Sequence, residues 1–206
     1  MKQSILVPLA VLAASPHVLA QQVDSSKPDK MVRGTVEDVM SAVANDPAAR
    51  GGDAGRIYQI VQQRFLPHTD FMRTTQYAVG NETWAKATPA QRDALFQQFQ
   101  TLLAHTYATQ LTQTRGENTQ FKFPPMAPLP STATDAVVRT QVVSGGETMP
   151  IDYRVHKNAD GWKIYDINMM GAWMIVVYRQ QFAAQLSRGG IDGLIKYLAA
   201  HNEGSR

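Results

Sequence analysis

Apolar residues recur at helical spacing through the first half of the chain. Thr35 stands in the N-cap position before the first such stretch, which ends ahead of Pro47. A second stretch covers residues 57–65, and a third, short one begins after Thr69 and closes at Gly80. The pattern predicts three helices in this part of the chain.

The clearest helix signal follows at Thr88. This residue is in the N-cap position, Pro89 is in the first turn, and Gln91 completes a capping box. We predict a long helix that ends at Gly116 and has a wide apolar stripe. The stripe consists of Leu95, Phe96, Phe99, Leu102, Leu103, Tyr107 and Leu111.

Strand patterns replace helical spacing in the next part of the chain. Three strands are predicted, with glycine-containing hairpin turns between them, and a short fourth strand is a candidate at 121–123. The three strands cover residues 136–143, 149–155 and 162–167.

The middle strand has one apolar and one polar set of alternating side chains, which predicts a dry face and a wet face. The apolar set is Met149, Ile151, Tyr153 and Val155, and the polar set is Asp152, Arg154 and His156. Two further helices, at 172–186 and 191–198, close the chain on either side of Gly189-Gly190. The order predicts an α+β fold, an antiparallel curved sheet of about four strands covered on one face by helices.

The N-terminus has the features of a secretory signal. Lys2 precedes the apolar run 5–13, and small or medium residues lead to Ala20. The run is too short to span a bilayer, which takes roughly 20 apolar residues. We predict a signal peptide at residues 1–20, a single domain at 21–206, and a periplasmic location.

Composition agrees with an exported globular domain. The chain has 0 cysteines, so a core and not disulfides must hold the fold. Its hydrophobic fraction of 44% and charged fraction of 18% are typical of globular proteins. A net charge of +3 is too small to predict a nucleic-acid partner.

Catalytic and metal-binding patterns are missing from the sequence. It has no nucleophile elbow, no phosphate-binding glycine loop and no histidine with ligand spacing to a second metal-binding residue. Asp152 and Asp166 are the one carboxylate pair that neighbouring strands could bring together for acid–base work. An enzyme that uses Asp152 or Asp166 on a small hydrophobic molecule is therefore the alternative to a binding protein.

The apolar stripes have two interpretations. Leu and Phe at helical spacing usually form a plain core, and a protein-binding adaptor would need nothing more. The dry sheet face, the long aromatic helix and nine methionines also fit a cavity that adapts to an apolar guest. We interpret the chain as a carrier, not an enzyme, with no cofactor and no metal.

Several segments, in this order, resemble the MlaC family, also called toluene-tolerance auxiliary proteins. The resemblance spans nearly the whole chain after the signal. The segments are His68-Thr69-Asp70-Phe71-Met72-Arg73, Ala87-Thr88-Pro89-Ala90-Gln91-Arg92, Ile151-Asp152-Tyr153-Arg154-Val155, Gly161-Trp162-Lys163-Ile164-Tyr165-Asp166-Ile167, Tyr178-Arg179-Gln180-Gln181-Phe182 and Gly190-Ile191-Asp192-Gly193-Leu194-Ile195.

This resemblance implies a nuclear-transport-factor-like cone with extra helices that holds phospholipid acyl chains between sheet and helices. It implies a periplasmic shuttle between an outer-membrane lipoprotein complex and an inner-membrane ABC transporter, which maintains outer-membrane lipid asymmetry. The phospholipid would be cargo, and nothing in the sequence demands more than a monomer.

Strand alternation and helical spacing then assign acyl-chain contact to twelve residues. They are Phe99, Leu103, Tyr107, Met149, Ile151, Tyr153, Trp162, Ile164, Ala172, Trp173, Met174 and Tyr178. The sequence departs from the family pattern just after the third strand, where Met170-Gly171-Ala172-Trp173 stands in place of an acidic residue, Gly, an aliphatic residue and Ser. We expect the turn there to differ in shape.

Overall fold

The computed structural model describes residues 23–113 and 119–203, with the side chains of 23–107 and 119–203. The predicted signal peptide and the predicted helix end at Gly116 lie outside these residues. Within them, no helix combines the length and the apolar character that crossing a bilayer requires.

Helices occupy the first half of the chain and its C-terminal end, and strands lie between them. The helices are α1 (Pro28–Asn45), α2 (Pro47–Arg50), α3 (Ala54–Arg64), α4 (Phe71–Val79), α5 (Asn81–Lys86), α6 (Pro89–Gln113) and α7 (Met174–Glu203), with a 3-10 turn at Leu66–His68. A kink divides α7 at Gly190, whose φ of 60° and ψ of −156° are not helical, at the break that the sequence predicted. The strands are β1 (Gln120–Lys122), β2 (Asp135–Ser144), β3 (Glu147–Asn158), β4 (Gly161–Met169) and β5 (Ala172–Trp173).

The first helix starts two turns earlier than predicted. Pro28 occupies its first turn, where a missing backbone N–H costs nothing. Thr35 is wholly buried inside the helix, and its hydroxyl donates to the Met31 carbonyl at 2.8 Å. The prediction of Thr35 as N-cap was wrong because a threonine bonded to the preceding turn also fits a helix interior.

The cap of α4 is shifted by one residue from the prediction. The Asp70 carboxylate accepts the Arg73 amide at 3.0 Å, whereas the Thr69 hydroxyl donates back to the Leu66 carbonyl at 2.9 Å. By contrast, α6 has the predicted capping box. The Thr88 hydroxyl accepts the Gln91 amide at 3.2 Å, and the Gln91 side chain accepts the Thr88 amide at 3.0 Å.

The sheet is fully antiparallel in the order β1-β2-β3-β4-β5. It contains the four predicted strands and a short fifth one. Because this fifth strand occupies Ala172 and Trp173, the last helical region begins two residues later than predicted. Ala172 and Trp173 pair with the end of β4, and α7 begins at Met174. A register shift opposite Arg154 and Val155 interrupts the β3–β4 ladder. Such a bulge bends a sheet, which gives this one its curvature.

Three clusters of buried apolar residues stabilise the described part of the chain. A helical core lies between α4, α5, α6 and α7, around Phe99 and Phe182. A sheet core lies between α1 and strands β2–β4, around Met31 and Trp162. A third, smaller cluster joins α1, α2 and α3. The helix α6 packs against α3, α4 and α7, and its packing against the sheet is slight. The helical core and the sheet core therefore leave a space between them.

Candidate functional site

The space between the two cores is a cavity of about 260 Å³ that is partly open to solvent. Its surface is almost wholly apolar. For comparison, a dry apolar cavity of about 150 Å³ is enough to hold a benzene-sized molecule. The dimensions and the chemistry of this space are therefore suited to an apolar guest.

Strands β2, β3 and β4 form one wall of the cavity. Val142, Ile151, Tyr153 and Ile164 reach it from the dry face of the sheet, where alternation places every second side chain. The Thr140 hydroxyl donates to the Ile151 carbonyl at 2.8 Å. Burial raises the pKa of Tyr153, so its hydroxyl stays neutral inside this wall.

The bulge in β4 extends this wall. Ile164 and Ile167 are three residues apart, yet both line the cavity, because the extra residue re-aims the strand. In a regular strand, an odd spacing would send the two side chains to opposite faces.

Helix α6 forms the opposite wall with one face of its middle turns. Gln100, Leu103, Ala104 and Tyr107 lie at steps of three and four and all line the cavity. The small side chain of Ala104 leaves room where a larger residue would fill the space.

Aromatic packing holds α6 in this position. The Phe99 ring lies 4.9 Å from the Tyr178 ring and 5.0 Å from the Phe182 ring, both edge-to-face. Phe71 packs on Phe99 at 5.5 Å. Edge-to-face contacts at these distances are favourable. They fix α6 to α4 and α7 while its next residues face open space.

Two tyrosines lie near each other on α6 and α7. Tyr107 lines the cavity, whereas Tyr178 is buried in the helical core. Burial raises the pKa of both hydroxyls, so both side chains stay neutral.

Asp166 is the one carboxylate among the described lining residues, and its oxygens are already engaged. One oxygen accepts the amides of Ile167 and Ile175, each at 3.0 Å. The other pairs with Arg154 at 3.1 Å. Burial raises the pKa of Asp166, while these partners act in the opposite direction. Asp166 thus anchors the first turn of α7 to the sheet.

Asp152 has a different place in the sheet. It lies opposite Arg139 on β2 and Asn168 on β4, and it does not line the cavity. The described residues contain no cluster of three His, Asp or Glu side chains that could hold a metal. The two carboxylates thus do not converge on the apolar space.

Half of the twelve residues predicted for acyl-chain contact line the cavity. These are Leu103, Tyr107, Ile151, Tyr153, Ile164 and Met174. The structure places the other six outside its lining. Phe99 and Tyr178 are in the helical core, Trp162 is in the sheet core, Met149 is half-buried on β3, Ala172 is exposed, and Trp173 lies under Arg154.

Other residues line the cavity but were not among the predicted contact residues. Val36, Val39 and Met40 reach the cavity from α1, and Ile57 and Val61 reach it from α3. Their helical spacing was visible in the sequence. The packing of the helices decides which apolar side chains border the cavity and which contact a neighbouring helix. Spacing alone could therefore not identify these lining residues.

The fold and the sequence agree with one protein family. A model of the MlaC protein family matches residues 33–200. The chain belongs to the MlaC family. This confirms the family predicted from the sequence, and the α+β fold with a curved antiparallel sheet is confirmed as well.

A solved structure is similar to this MlaC-family chain. It is a phospholipid-binding protein from Ralstonia solanacearum in complex with a phospholipid, with 39% sequence identity and a TM-score of 0.81. The match covers 87% of this chain and 99% of that chain. The residues matched by the family model, 33–200, include all the described residues that line the cavity.

Proposed function

We propose that this protein binds a phospholipid in the cavity between sheet and helices and carries it across the periplasm. The observation that carries the proposal is the apolar space of about 260 Å³ bounded by α6 on one side and the sheet on the other. Membership of the MlaC family and the phospholipid bound to the similar Ralstonia solanacearum protein support it.

The energetics of lipid transfer explain the need for such a cavity. A two-chain phospholipid has roughly 30 methylenes, and exposing each to water costs about 0.8 kcal/mol. An unshielded lipid therefore cannot cross an aqueous gap at a useful rate. A dry cavity replaces the bilayer as the environment of the chains, so the exchange is nearly neutral in free energy.

We assign acyl-chain contact to the six predicted residues that line the cavity. Leu103 and Tyr107 cover the chains from the helix side, and Ile151, Tyr153 and Ile164 cover them from the sheet side. Met174 closes the space at the start of α7. The charged headgroup remains outside, because burying an unpaired charge is costly.

The donor and acceptor in this proposal are an outer-membrane lipoprotein complex and an inner-membrane ABC transporter. A signal peptide at residues 1–20 delivers the protein to the periplasm, and residues 21–206 act as one lipid-binding domain and as a monomer. Transfer by a carrier needs no catalytic group and no cofactor. Asp166 fits this role because its bonds tie α7 to the sheet.

Organic extraction of the purified protein followed by mass spectrometry tests the proposal. We expect an intact diacyl phospholipid from the wild type and none from Ile151→Glu, because the introduced carboxylate would enter the apolar space. Val137→Glu on β2 is the matched control, since Val137 is 37% exposed and faces away from the cavity lining. Its lipid content should equal that of the wild type.

Two results would contradict the proposal. One is a folded wild-type protein that yields no diacyl lipid after expression in a host with a periplasm. The other is a folded Ile151→Glu protein, verified by circular dichroism, with undiminished lipid. Recovery of a small hydrophobic molecule together with its reaction product would favour the enzyme alternative.

A further inference from the structure

The hairpin between β4 and β5 presents an exposed apolar tip. Met170 is 76% exposed, the largest exposure of any large hydrophobic residue in the described part of the chain. Ala172 on the same hairpin is exposed, and Val176 in the first turn of α7 is 46% exposed. Three apolar side chains within seven residues thus face solvent.

The backbone of this turn does not account for a methionine. Met170 and Gly171 have φ values of 52° and 88° and connect the paired residues Met169 and Ala172. Positive φ at both central residues defines a type I′ turn, which favours Asn-Gly or Gly-Gly. The β2–β3 turn has the same geometry, with φ values of 58° and 86°, and there the chain has Gly145-Gly146.

Methionine at this position is therefore unfavourable for two reasons, its backbone conformation and its exposure to water. Among the described residues, Met170 is the one non-glycine with positive φ, and its apolar side chain is in water. Strain of this kind persists where the surrounding structure imposes it, and it is concentrated at functional sites.

Residues of the cavity lining flank the hairpin. Met169 precedes the turn and Met174 follows β5, and both line the cavity. The segment from Met169 through the tip to Met174 contains no charged residue.

An aromatic residue and a cation lie directly behind the tip. The Arg154 guanidinium is stacked 3.8 Å from the centre of the Trp173 ring, and the Arg154 side chain is 35% exposed. Tryptophan and arginine are the side chains that favour the headgroup zone of a bilayer. An apolar tip in front of such a pair matches the order of layers at a membrane surface.

We propose that the β4–β5 hairpin inserts Met170 into a phospholipid surface, with Trp173 and Arg154 at the level of the headgroups. This inference rests on the proposed function. Insertion would place the end of the cavity lining against the acyl region of the bilayer. A lipid could then move between bilayer and cavity with little of its chains exposed to water.

Transfer of a fluorescent phospholipid from loaded protein to protein-free vesicles of phosphatidylethanolamine and phosphatidylglycerol tests this inference. The variant Met170→Asn places Asn-Gly in the type I′ turn, so the fold should be at least as stable as the wild type. We expect it to load the same amount of lipid but to transfer it about tenfold more slowly, because the apolar anchor is lost.

Leu129→Asn is the matched control. Leu129 is 37% exposed, does not line the cavity and lies outside the hairpin, so its transfer rate should equal that of the wild type. A wild-type rate for Met170→Asn, or equal slowing by Leu129→Asn, would overturn the inference.

Two further outcomes separate this inference from the proposed function. If loaded wild-type protein releases lipid only to a protein acceptor and never to bare vesicles, the hairpin inference fails while lipid carriage stands. If the wild type cannot be loaded at all, both fail.

Discussion

The helical core around Phe99 and the cavity beneath α6 are built from the same kinds of side chain. Both are lined by aliphatic and aromatic residues from α4, α6 and α7. In the helical core, rings meet at 4.9 to 5.0 Å. One turn further along α6, Leu103, Ala104 and Tyr107 face an open space instead.

This difference shows that apolar composition does not decide whether a core is filled. Helix α6 packs against α3, α4 and α7 and only slightly against the sheet. A filled core next to the cavity thus keeps the cavity from collapsing. We expect a truncation in the helical core to cost more stability than a truncation that borders the cavity.

The largest effect is expected from Phe99→Ala in the helical core. Removing a buried phenylalanine costs about 3–5 kcal/mol of folding free energy, since the ring leaves a cavity in a packed region. Denaturant unfolding would measure this loss.

Leu103→Ala on the same helix is the comparison for Phe99→Ala. It should cost less than about 2 kcal/mol, below the usual range for a buried leucine, because Leu103 borders space that is already empty. Similar losses for the two variants, after allowance for side-chain size, would mean that the two regions are packed alike.

Filling the cavity with a larger side chain should reduce the amount of bound lipid more than it reduces the stability of the fold. We expect Ala104→Phe to reduce the bound lipid at least about tenfold and to change the free energy of unfolding by less than about 1.5 kcal/mol, since the ring enters existing space. Lipid extraction and denaturant unfolding measure the two quantities.

Ala90→Phe provides the control for this change. Ala90 is exposed in the first turn of α6, so the same substitution there should leave the bound lipid unaffected. Undiminished lipid in folded Ala104→Phe would show that the acyl chains lie elsewhere.

The smallest expected effect is a pH dependence of stability that comes from Asp166, the residue that bonds α7 to the sheet. Burial raises its pKa above 3.8, so the folded protein binds this proton more tightly than the unfolded chain. The contribution of Asp166 to stability therefore falls as pH rises from about 3.8 through the raised pKa. The effect is small because Arg154 and two amides offset much of the burial.

Asp166→Asn isolates this contribution. An asparagine oxygen can still accept the amides of Ile167 and Ile175, which bond to one oxygen of Asp166. The free energy of unfolding of the variant should lack the extra decrease over that pH range. Parallel pH curves for the two proteins would contradict the raised pKa.

Local signals predicted the elements well. The capping box at Thr88 and Gln91 and the glycine turn at Gly145-Gly146 are as expected, because both depend on neighbours within a few residues. The N-caps at Thr35 and Thr69 were wrong for a related reason. A threonine hydroxyl can bond either forward to an amide or back to a carbonyl, and the local sequence does not distinguish the two.

Half of the residues predicted to contact acyl chains line the cavity, and their contact with a lipid stays a prediction. Strand alternation identified Ile151 and Tyr153 in the cavity wall, since period two survives in any sheet. Trp162 is buried on the same strand two residues from Ile164, as alternation predicts, but it does not line the cavity. Alternation could not reveal the bulge that brings Ile167 to the same wall as Ile164. Phe99 and Leu103 are four residues apart and lie on the same face of α6, yet of these two only Leu103 lines the cavity.

The sequence by itself determined the order of the elements, the fold class and the family, because periodicity, caps and turns are encoded by residues close together in the chain. The tertiary structure alone decided that a space exists, where it lies and which apolar residues face it. The reason is that a cavity is the distance between two packed layers, and that distance is set by contacts between distant residues such as Phe71, Phe99 and Tyr178.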